Sequence, residues 1–529
     1  MKNILKLSVL ALVIISASSC LKDLDREPFV EVTSATVYKD AIAYKQVLAK
    51  IYAGFAVTGQ KGPDGQKDIQ GIDEGFSNYL RQYFNAQELP TDEAVVGWND
   101  GTIKDLHWMN WGTNNEFLTA LYYRIYYQIS LCNEYLRECT DEKLRDRGLE
   151  SSLSADIKNY RAETRFMRAL SYWHALDLYR NVPFVTETDG IGAFYPLQKT
   201  PQELFNYIES ELKAVEGDLK APRKNEYARA DQAAAWTVLA KLYLNAKVYT
   251  GTDRSSDCIT YCNKILAAGY TLEPNYRHLF MIGNDNSKEV IFTVAFDGLQ
   301  TQTWGGMTFL VHAPVGGTMS KNDFGINGGW AGYRTTKSFV KLFSDVTGAT
   351  DNRAMFHTDG QNLEIDNIAT FSNGYAIGKY KNVDPAGVPG KDKGGNHIDT
   401  DYPMFRLADV HLMYAEAVLR GGSGGDKGTA LKYINELRTR AYKGSPSGNV
   451  KDSDLTLDFI LDERGRELQW ECHRRTDLVR FDKYTSDKYV WPWKGNAKEG
   501  TGVNANRAIF PIPASEMIAN PKLVQNPGY

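Results

Sequence analysis

The 529-residue chain has little of what metal centres, redox pairs and nucleic-acid sites are made from. It contains six cysteines and no CxxC or HExxH pattern, so neither a structural zinc site nor zincin chemistry is indicated. Its 61 basic residues are outnumbered by 65 acidic ones, a formal charge of −4, which leaves no basic footprint for nucleic acid. After the first twenty residues no stretch is apolar enough to span a bilayer as a helix. Asn284-Asp285-Asn286 could offer oxygens to calcium, but the rest of a calcium-loop signature is missing and a solvated turn is expected. Calcium is the one cofactor left open, and no other is implied. Gly421 to Gly425 (GGSGG) matches GxSxG formally. A nucleophile elbow needs a strand before it, whereas a helix precedes this stretch, so it reads as a flexible turn.

Aromatic residues are abundant: 31 Tyr, 22 Phe and 10 Trp make up 12% of the chain. Tyr and Trp combine an apolar ring with a polar edge and collect where a surface must be both adhesive and wet. The N-terminus reads as a secretory signal over residues 1–19, with Lys2 and Lys6 ahead of a short apolar run and small residues before Cys20. A cysteine in that position reads as a lipidation site. Acylation of Cys20 would anchor the protein to a membrane through residues 20–34 as a tether. The five remaining cysteines cannot all pair within one chain. Cys132, Cys258 and Cys262 fall on apolar helical stripes and are expected to pack as small hydrophobes.

Helical periodicity dominates the body. Arg161 to Val185 places Phe166, Ala169, Leu170, Trp173, Leu176 and Asp177 on one face, with Arg161, Glu163, Arg165 and Arg168 on the others, and Pro183 closes the helix. Further helices are predicted over Ala35–Gly54, Asn114–Glu138, Ser154–Tyr179, Thr200–Leu219 (with a capping box at Thr200 and Glu203), from Asp231, over Ser255–Ala268, Tyr402–Arg420, Asp426–Arg440 and Leu457–Phe481. Thr58–Tyr79 reads as a long loop. Residues from about 270 to 401 are rich in Gly, Asn, Asp and Thr and read as an irregular, loop-rich insert. The expectation is a mainly α protein: an α-solenoid of about four tetratricopeptide-like helical hairpins. One domain is expected over 35–529, with a scaffold over about 35–269 and 402–481.

Four stretches, RAETRFMRALSYWHALDLYRNVPFV, FRLADVHLMYAEA, ERGRELQWECHRRTDLVRF and FPIPASEMIANPKLVQNPGY, together resemble the SusD/RagB family of outer-membrane glycan-binding lipoproteins of Bacteroidetes. The lipoprotein start agrees, and CLKDLD is similar to the surface-export signal of that group. VTGQKGPDGQKD, ELPTDE and YLNAKVYTG look most like the family's starch-binding members. The resemblance implies a tetratricopeptide scaffold with an irregular region building the glycan site, and no enzyme activity. It also implies an oligosaccharide or polysaccharide ligand, best guessed as an α-glucan such as starch, and a SusC-like TonB-dependent transporter beneath a lipid-anchored lid.

Neutral sugars are held by exposed rings and a few hydrogen-bonding side chains. Trp98 (VGWNDG), Trp304 (TWGG) and Trp330 (NGGW) sit in loop contexts beside glycines that clear space for an approaching group. The resemblance implies that these three match an aromatic arc, whose second ring is a Tyr in the starch-binding members rather than Trp304, and that Arg81 matches a sugar-contacting Arg. Val96 and Gly101 depart from the pattern, standing where those members have another arc Trp and a contacting Asn. Asn99 or Asp100 are the candidates to replace the lost polar contact. Trp108, Trp111, Trp491 and Trp493 read as packing residues.

The charge run from Glu463 to Arg480 reads as a helix bridged by Arg464–Glu467, Glu471–Arg475 and Asp477–Arg480 rather than as a catalytic pair. Asp92 and Glu93 are adjacent and would diverge. Three other functions remain to be weighed: a peptide-binding RagB-like lid, a surface glycoside hydrolase, and a purely structural transporter lid.

Overall fold

The computed structural model describes residues 34–154, 156–190, 192 and 194–529. The expected signal peptide over 1–19, Cys20 and the tether up to residue 33 lie outside the described residues.

Twelve of the described helices carry the argument: α1 Ala41–Ala56, α2 Tyr79–Glu88, α3 Glu116–Glu138, α4 Ile157–Tyr179, α5 Pro201–Val215, α6 Gln232–Leu244, α7 Ser255–Leu266, α8 Gly306–His312, α9 Leu407–Leu419, α10 Lys427–Ala441, α11 Leu457–Leu468 and α12 Arg474–Arg480. Successive long helices pack on one another, α3 on α4, α4 on α5, α6 on α7, α7 on α9 and α9 on α10, which is the stacked-hairpin scaffold expected from the sequence. Helix starts follow from local chemistry. The Asp40 carboxylate accepts from Ala43 N at 2.9 Å, Asn115 accepts from Leu118 N, and Asp231 accepts from the N–H groups of Ala233 and Ala234. Thr200 and Glu203 form the predicted capping box. Among the described residues no helix is long and apolar enough to cross a membrane.

Three expectations are corrected and one helix is added. First, α4 does not keep its charges outside. Glu163 and Arg168 are buried because neighbouring helices cover the flanks that a surface helix would leave to water. Glu163 accepts from Arg229 Nη2 at 2.5 Å and from the Tyr52 hydroxyl at 2.6 Å, while Arg168 reaches Asn133, Glu187 and Glu211. Second, the stretch from Thr58 is the loop expected, but it leads at Tyr79 into a helix that was not predicted, α2, buried along almost its whole length with its polar side chains turned to internal bonds. Third, Tyr402–Arg406 is a strand rather than the first turn of a helix. All five residues are buried and it pairs antiparallel with Val290–Val294, so no alternation marks it in the sequence.

Fourth, the charge run is two helices, not one. Trp470 and Cys472 take positive φ (58° and 65°) between α11 and α12, and the pairing is long-range. Glu467 meets Arg353, Arg406 and Arg440 at 3.2, 2.6 and 2.5 Å, all deeply buried. Glu471 meets Lys379 at 2.5 Å and Arg406 at 2.6 Å. Of the three expected intrahelical pairs, only Asp477–Arg480 forms, at 2.7 Å. This network ties the last helices to the insert through Arg353 and Lys379, to the strand through Arg406 and to α10 through Arg440.

The five described cysteines are free and buried, with the sulfurs of Cys258 and Cys262 4.0 Å apart, as expected of core residues. One apolar cluster runs from Tyr38 to Leu523 through scaffold and insert alike. The extended end joins it: Phe510 N–H donates to the Leu178 carbonyl at 2.8 Å, and the Trp111 indole donates to the Tyr529 hydroxyl at 2.7 Å.

Candidate functional site

The site is built on the N-terminus of α2. Asn78 caps it, its side-chain oxygen accepting from Arg81 N at 3.1 Å and from Gly306 N at 3.0 Å, while its amide donates to the Ala56 carbonyl at 2.7 Å. A Cβ on Gly305 would lie 2.0 Å from Asn78 Cβ. Gly305 is therefore required by the close approach of the cap, Gly306 by its φ of +51° and by the Phe296 ring 2.4 Å from where a Cβ would lie, and Trp304 is fastened to the first turn of α2.

Arg81 stands in that turn, between the rings. Its Nη1 donates to the carbonyls of Gly75 at 3.1 Å and Trp304 at 3.2 Å. Its guanidinium lies 4.7 Å from the centroid of Phe309 and 5.9 Å from that of Trp98. Nε is buried without an acceptor among the described residues, and burial lowers the guanidinium pKa from its usual value. One side chain thus touches the backbone of one candidate ring and the face of another.

Trp98 leaves the end of a two-residue strand, Val95–Val96, paired antiparallel with Tyr333–Arg334. Its indole N–H donates to the Trp330 carbonyl at 3.0 Å, and the two rings stand 6.2 Å apart at 50°. Tyr333 packs edge-on beneath Trp98 at 5.2 Å. Trp330 stacks on His312 at 5.0 Å and 23°. Trp304 leans on His397 at 5.2 Å, and its N–H donates to Asp64 at 3.2 Å. All three tryptophans are half-buried, so each ring is partly fixed by packing and partly at the surface.

Of the candidate residues, Arg81, Trp98, Trp304 and Trp330 come together in this chain of contacts. Asn99 and Asp100 follow Trp98 and are exposed, with Asn99 accepting from Lys104 at 3.0 Å. Val96 is fully buried and so presents nothing to the surface. Gly101 takes φ +43°, and a Cβ there would lie 1.4 Å from the Glu116 carboxylate, which accepts from Thr102 N. A side chain at 101 would have to displace the exposed Glu116 carboxylate and take a positive φ.

His312, His397, Asp64 and Gly332 belong to the same constellation and were not singled out from the sequence. His312 directs both ring nitrogens at backbone carbonyls, Nδ1 at Gly328 (2.7 Å) and Nε2 at Asn396 (3.1 Å). Burial lowers its pKa while the two carbonyls act in the opposite sense. None of these contacts has a local sequence signal, because each joins segments far apart in the chain.

The remaining candidates are spent on structure. Trp111 and Trp491 are buried, and the Trp493 indole donates to the Ile365 carbonyl at 3.0 Å. Asp92 accepts from Arg474 and from the Tyr489 hydroxyl, whereas Glu93 accepts from Trp470 N, so the adjacent acids do diverge. The Asn284 amide donates to the carbonyls of Leu279 and Asp401.

The sequence profile described as the SusD family matches residues 358–529. Over 576 aligned positions the chain is 33% identical to the starch-binding protein SusD of Bacteroides thetaiotaomicron, covering 100% of this chain and 99% of that one. The chain belongs to the SusD family. A SusD-like protein of Bacteroides ovatus is 24% identical over 504 residues, covering 92% of this chain and 84% of that one. Solved SusD-type structures share the fold. Surface glycan-binding protein A from Bacteroides fluxus superposes with a TM-score of 0.71 at 19% identity, over 92% of this chain and 99% of that one. A laminarin-binding SusD-like protein superposes with a TM-score of 0.68 at 23% identity, over 93% of this chain and all of that one. Full-length coverage places the α2 cap, the tryptophan-bearing loops and the charge network all within the part of the chain aligned to the SusD family.

Proposed function

We propose that this protein captures an oligosaccharide or polysaccharide at the outer-membrane surface and passes it to a SusC-like TonB-dependent transporter, without hydrolysing it. Cys20 is the lipid-anchor site in this reading, and residues 35–529 act as one unit. An α-glucan such as starch is the first candidate ligand, supported by full-length similarity to a starch-binding protein.

The observation that carries the reading is Arg81. Its guanidinium lies against Trp98 and donates to the backbone of Trp304, and Trp98 is bonded in turn to Trp330. Three half-exposed rings, one of them against the Arg81 guanidinium, suit a sugar, which offers flat C–H patches and hydroxyls. Single contacts of this kind are each worth about 0.5–1.5 kcal/mol, so affinity would come from several at once and from repeats along a polymer. Val96 and Gly101 leave this arc thinner, with Asn99 and Asp100 as the exposed polar groups beside it.

Native affinity electrophoresis of the chain from Lys22 onward tests this, with α-glucans, fructans, β-glucans, mannans and pectins in the gel and Trp98→Ala and Trp330→Ala alongside. Retardation by an α-glucan, lost in both variants, is the expected result. Retardation by another polymer keeps the capture function and replaces the ligand. No retardation by any polymer overturns glycan capture in favour of a peptide ligand or a purely structural lid.

A further inference from the structure

A second cavity, of about 480 Å³, lies in the insert beside the loop that carries Trp330. Met281, Phe324 and Met355 give it apolar walls, and Arg277 and Lys381 give it positive charge. Lys381 Nζ sits 4.8 Å over the Phe324 ring and has no hydrogen-bonding or ion-paired acceptor among the described residues. Arg277 donates from Nε to the Asn352 carbonyl at 3.4 Å and likewise has no carboxylate partner among the described residues. Asp323, exposed at the mouth, is the acid whose charge reaches Lys381, without forming an ion pair.

Lys381 is half-buried and Arg277 exposed, whereas the fully buried cations are all matched, Arg334 and Lys494 by backbone carbonyls and others by carboxylates. Arg353, Arg406, Lys241 and Lys379 each meet at least one carboxylate directly. Lys379 forms part of the cavity floor, but its ammonium is already spent on Glu471. Burial lowers the pKa of both Arg277 and Lys381. Partly desolvated positive charge without an internal counter-charge is unfavourable, and a bound anion would relieve it.

The cavity is close to the aromatic arc. Ala331, next to Trp330, donates from its N–H to the Val315 carbonyl at 2.9 Å. Thr318, on the cavity wall, is three residues further along, which is no more than about 10 Å of extended chain. The Thr318 hydroxyl donates to the Asp359 carbonyl at 2.8 Å, so it accepts from His357 Nε2 at 2.7 Å and holds the opposite wall in place.

We propose that this cavity receives an anionic substituent (a carboxylate, sulfate or phosphate ester) of a glycan held on the tryptophan arc, with Lys381 and Arg277 as its ligands. The source of the anion rests on the capture reading above. Binding of the anion itself does not.

Isothermal titration of the chain from Lys22 onward with glucuronate, inorganic sulfate and inorganic phosphate, at constant ionic strength, separates the two. Saturable binding of at least one anion is expected. Lys381→Met should weaken it by about tenfold, the loss of one charge-assisted contact. Lys381→Arg should retain it, and Asp323→Asn should tighten it. Arg277→Gln, at an exposed position, gives a second loss variant if Lys381→Met does not fold. Trp330→Ala should leave free-anion binding intact while abolishing retention of a neutral glycan, so failure of the arc and failure of the cavity are distinguishable. No saturable binding of any of the three anions, or binding unchanged in both Lys381→Met and Arg277→Gln, overturns the proposal. A glutamate-rich peptide binding more tightly than a uronate-containing oligosaccharide would assign the cavity to a peptide and overturn it as well.

Discussion

A Cβ on Gly332 would lie 2.2 Å from Cε2 of Trp98, within the indole itself. The absence of a side chain at 332 is what seats the ring. The backbone beside it is already constrained, since Ala331 takes φ 48° between Trp330 and Gly332. Gly332→Ala should therefore expel the Trp98 ring from its seat against Tyr333 and the Trp330 carbonyl. The expected outcome is loss of glycan retention comparable to Trp98→Ala, with the fold kept. Affinity electrophoresis and near-ultraviolet circular dichroism, which reports the tryptophan environment, check it together.

His312 is expected to position Trp330 rather than to touch ligand. It stacks under the ring and faces the carbonyls of Gly328 and Asn396, so it joins two loops of the insert. His312→Phe preserves the stacked ring and removes the polar contacts, leaving two carbonyls facing a hydrocarbon edge. That should weaken glycan binding by about three- to tenfold, with His312→Ala weaker still, in line with about 1 kcal/mol for a lost buried hydrogen bond. Titration calorimetry of both variants would show the order. Equal affinity in wild type and His312→Ala would refute the assignment.

Glu467 should be among the most sensitive positions for stability. It is fully buried among Arg353, Arg406 and Arg440, and these arginines hold its pKa down at about 2. Glu467→Gln leaves three buried guanidinium groups short of a counter-charge. A loss of about 3–5 kcal/mol is expected, the usual result of removing one partner of a buried ion pair. Urea denaturation measures it. The comparable change at exposed Glu226, paired with Lys45 at 2.8 Å, should stay within about 1 kcal/mol.

The scaffold was legible where a side-chain cap opens a helix of apolar period, as at Thr200 and Asp231. Legibility failed where buried polar residues or a strand covered on both faces hide the pattern. The α2 helix carries Asn85, Gln87 and Glu88 inside the protein, and Tyr402–Arg406 shows no alternation because both faces are covered. The charge run misled for a related reason: helical spacing suggested local pairs, but left-handed residues at 470 and 472 turn the chain, and the partners come from Arg353, Lys379 and Arg406. At the site, glycine-flanked tryptophans could be picked out. Their supports, His312, His397 and Gly332, could not, since each is defined only by a contact made across the fold. Gly101 shows the same limit. Its positive φ and its contact with Glu116, fifteen residues on, come from a turn that periodicity does not reveal.

Glu88 and Glu93 set the pH dependence expected of the folded state. Both are fully buried, and Glu88 accepts from the N–H groups of Cys472 and His473 while Glu93 accepts from Trp470 N. Burial, and for Glu93 the neighbouring carboxyl group of Glu88, push both pKa values up, that of Glu88 to about 8. A carboxyl whose pKa is raised on folding contributes stability that is complete below its unfolded value, near about 4.3, and that is lost as pH rises through the folded value. Stability should therefore fall between about pH 5 and pH 8 by this pair alone. Asp409 and Glu416, held low by their cationic partners, act in the opposite direction, losing stability as pH falls. Wild type alone would show only the sum. Glu93→Gln separates the terms, because its amide oxygen can still accept from Trp470 N and its N–H can donate toward Glu88. The variant should match or trail wild type at pH 5 and exceed it at pH 8 by about 1–3 kcal/mol. Urea unfolding of both proteins at the two pH values decides it, and an identical wild-type-to-variant difference at both would show that the pair is not protonated in the native state.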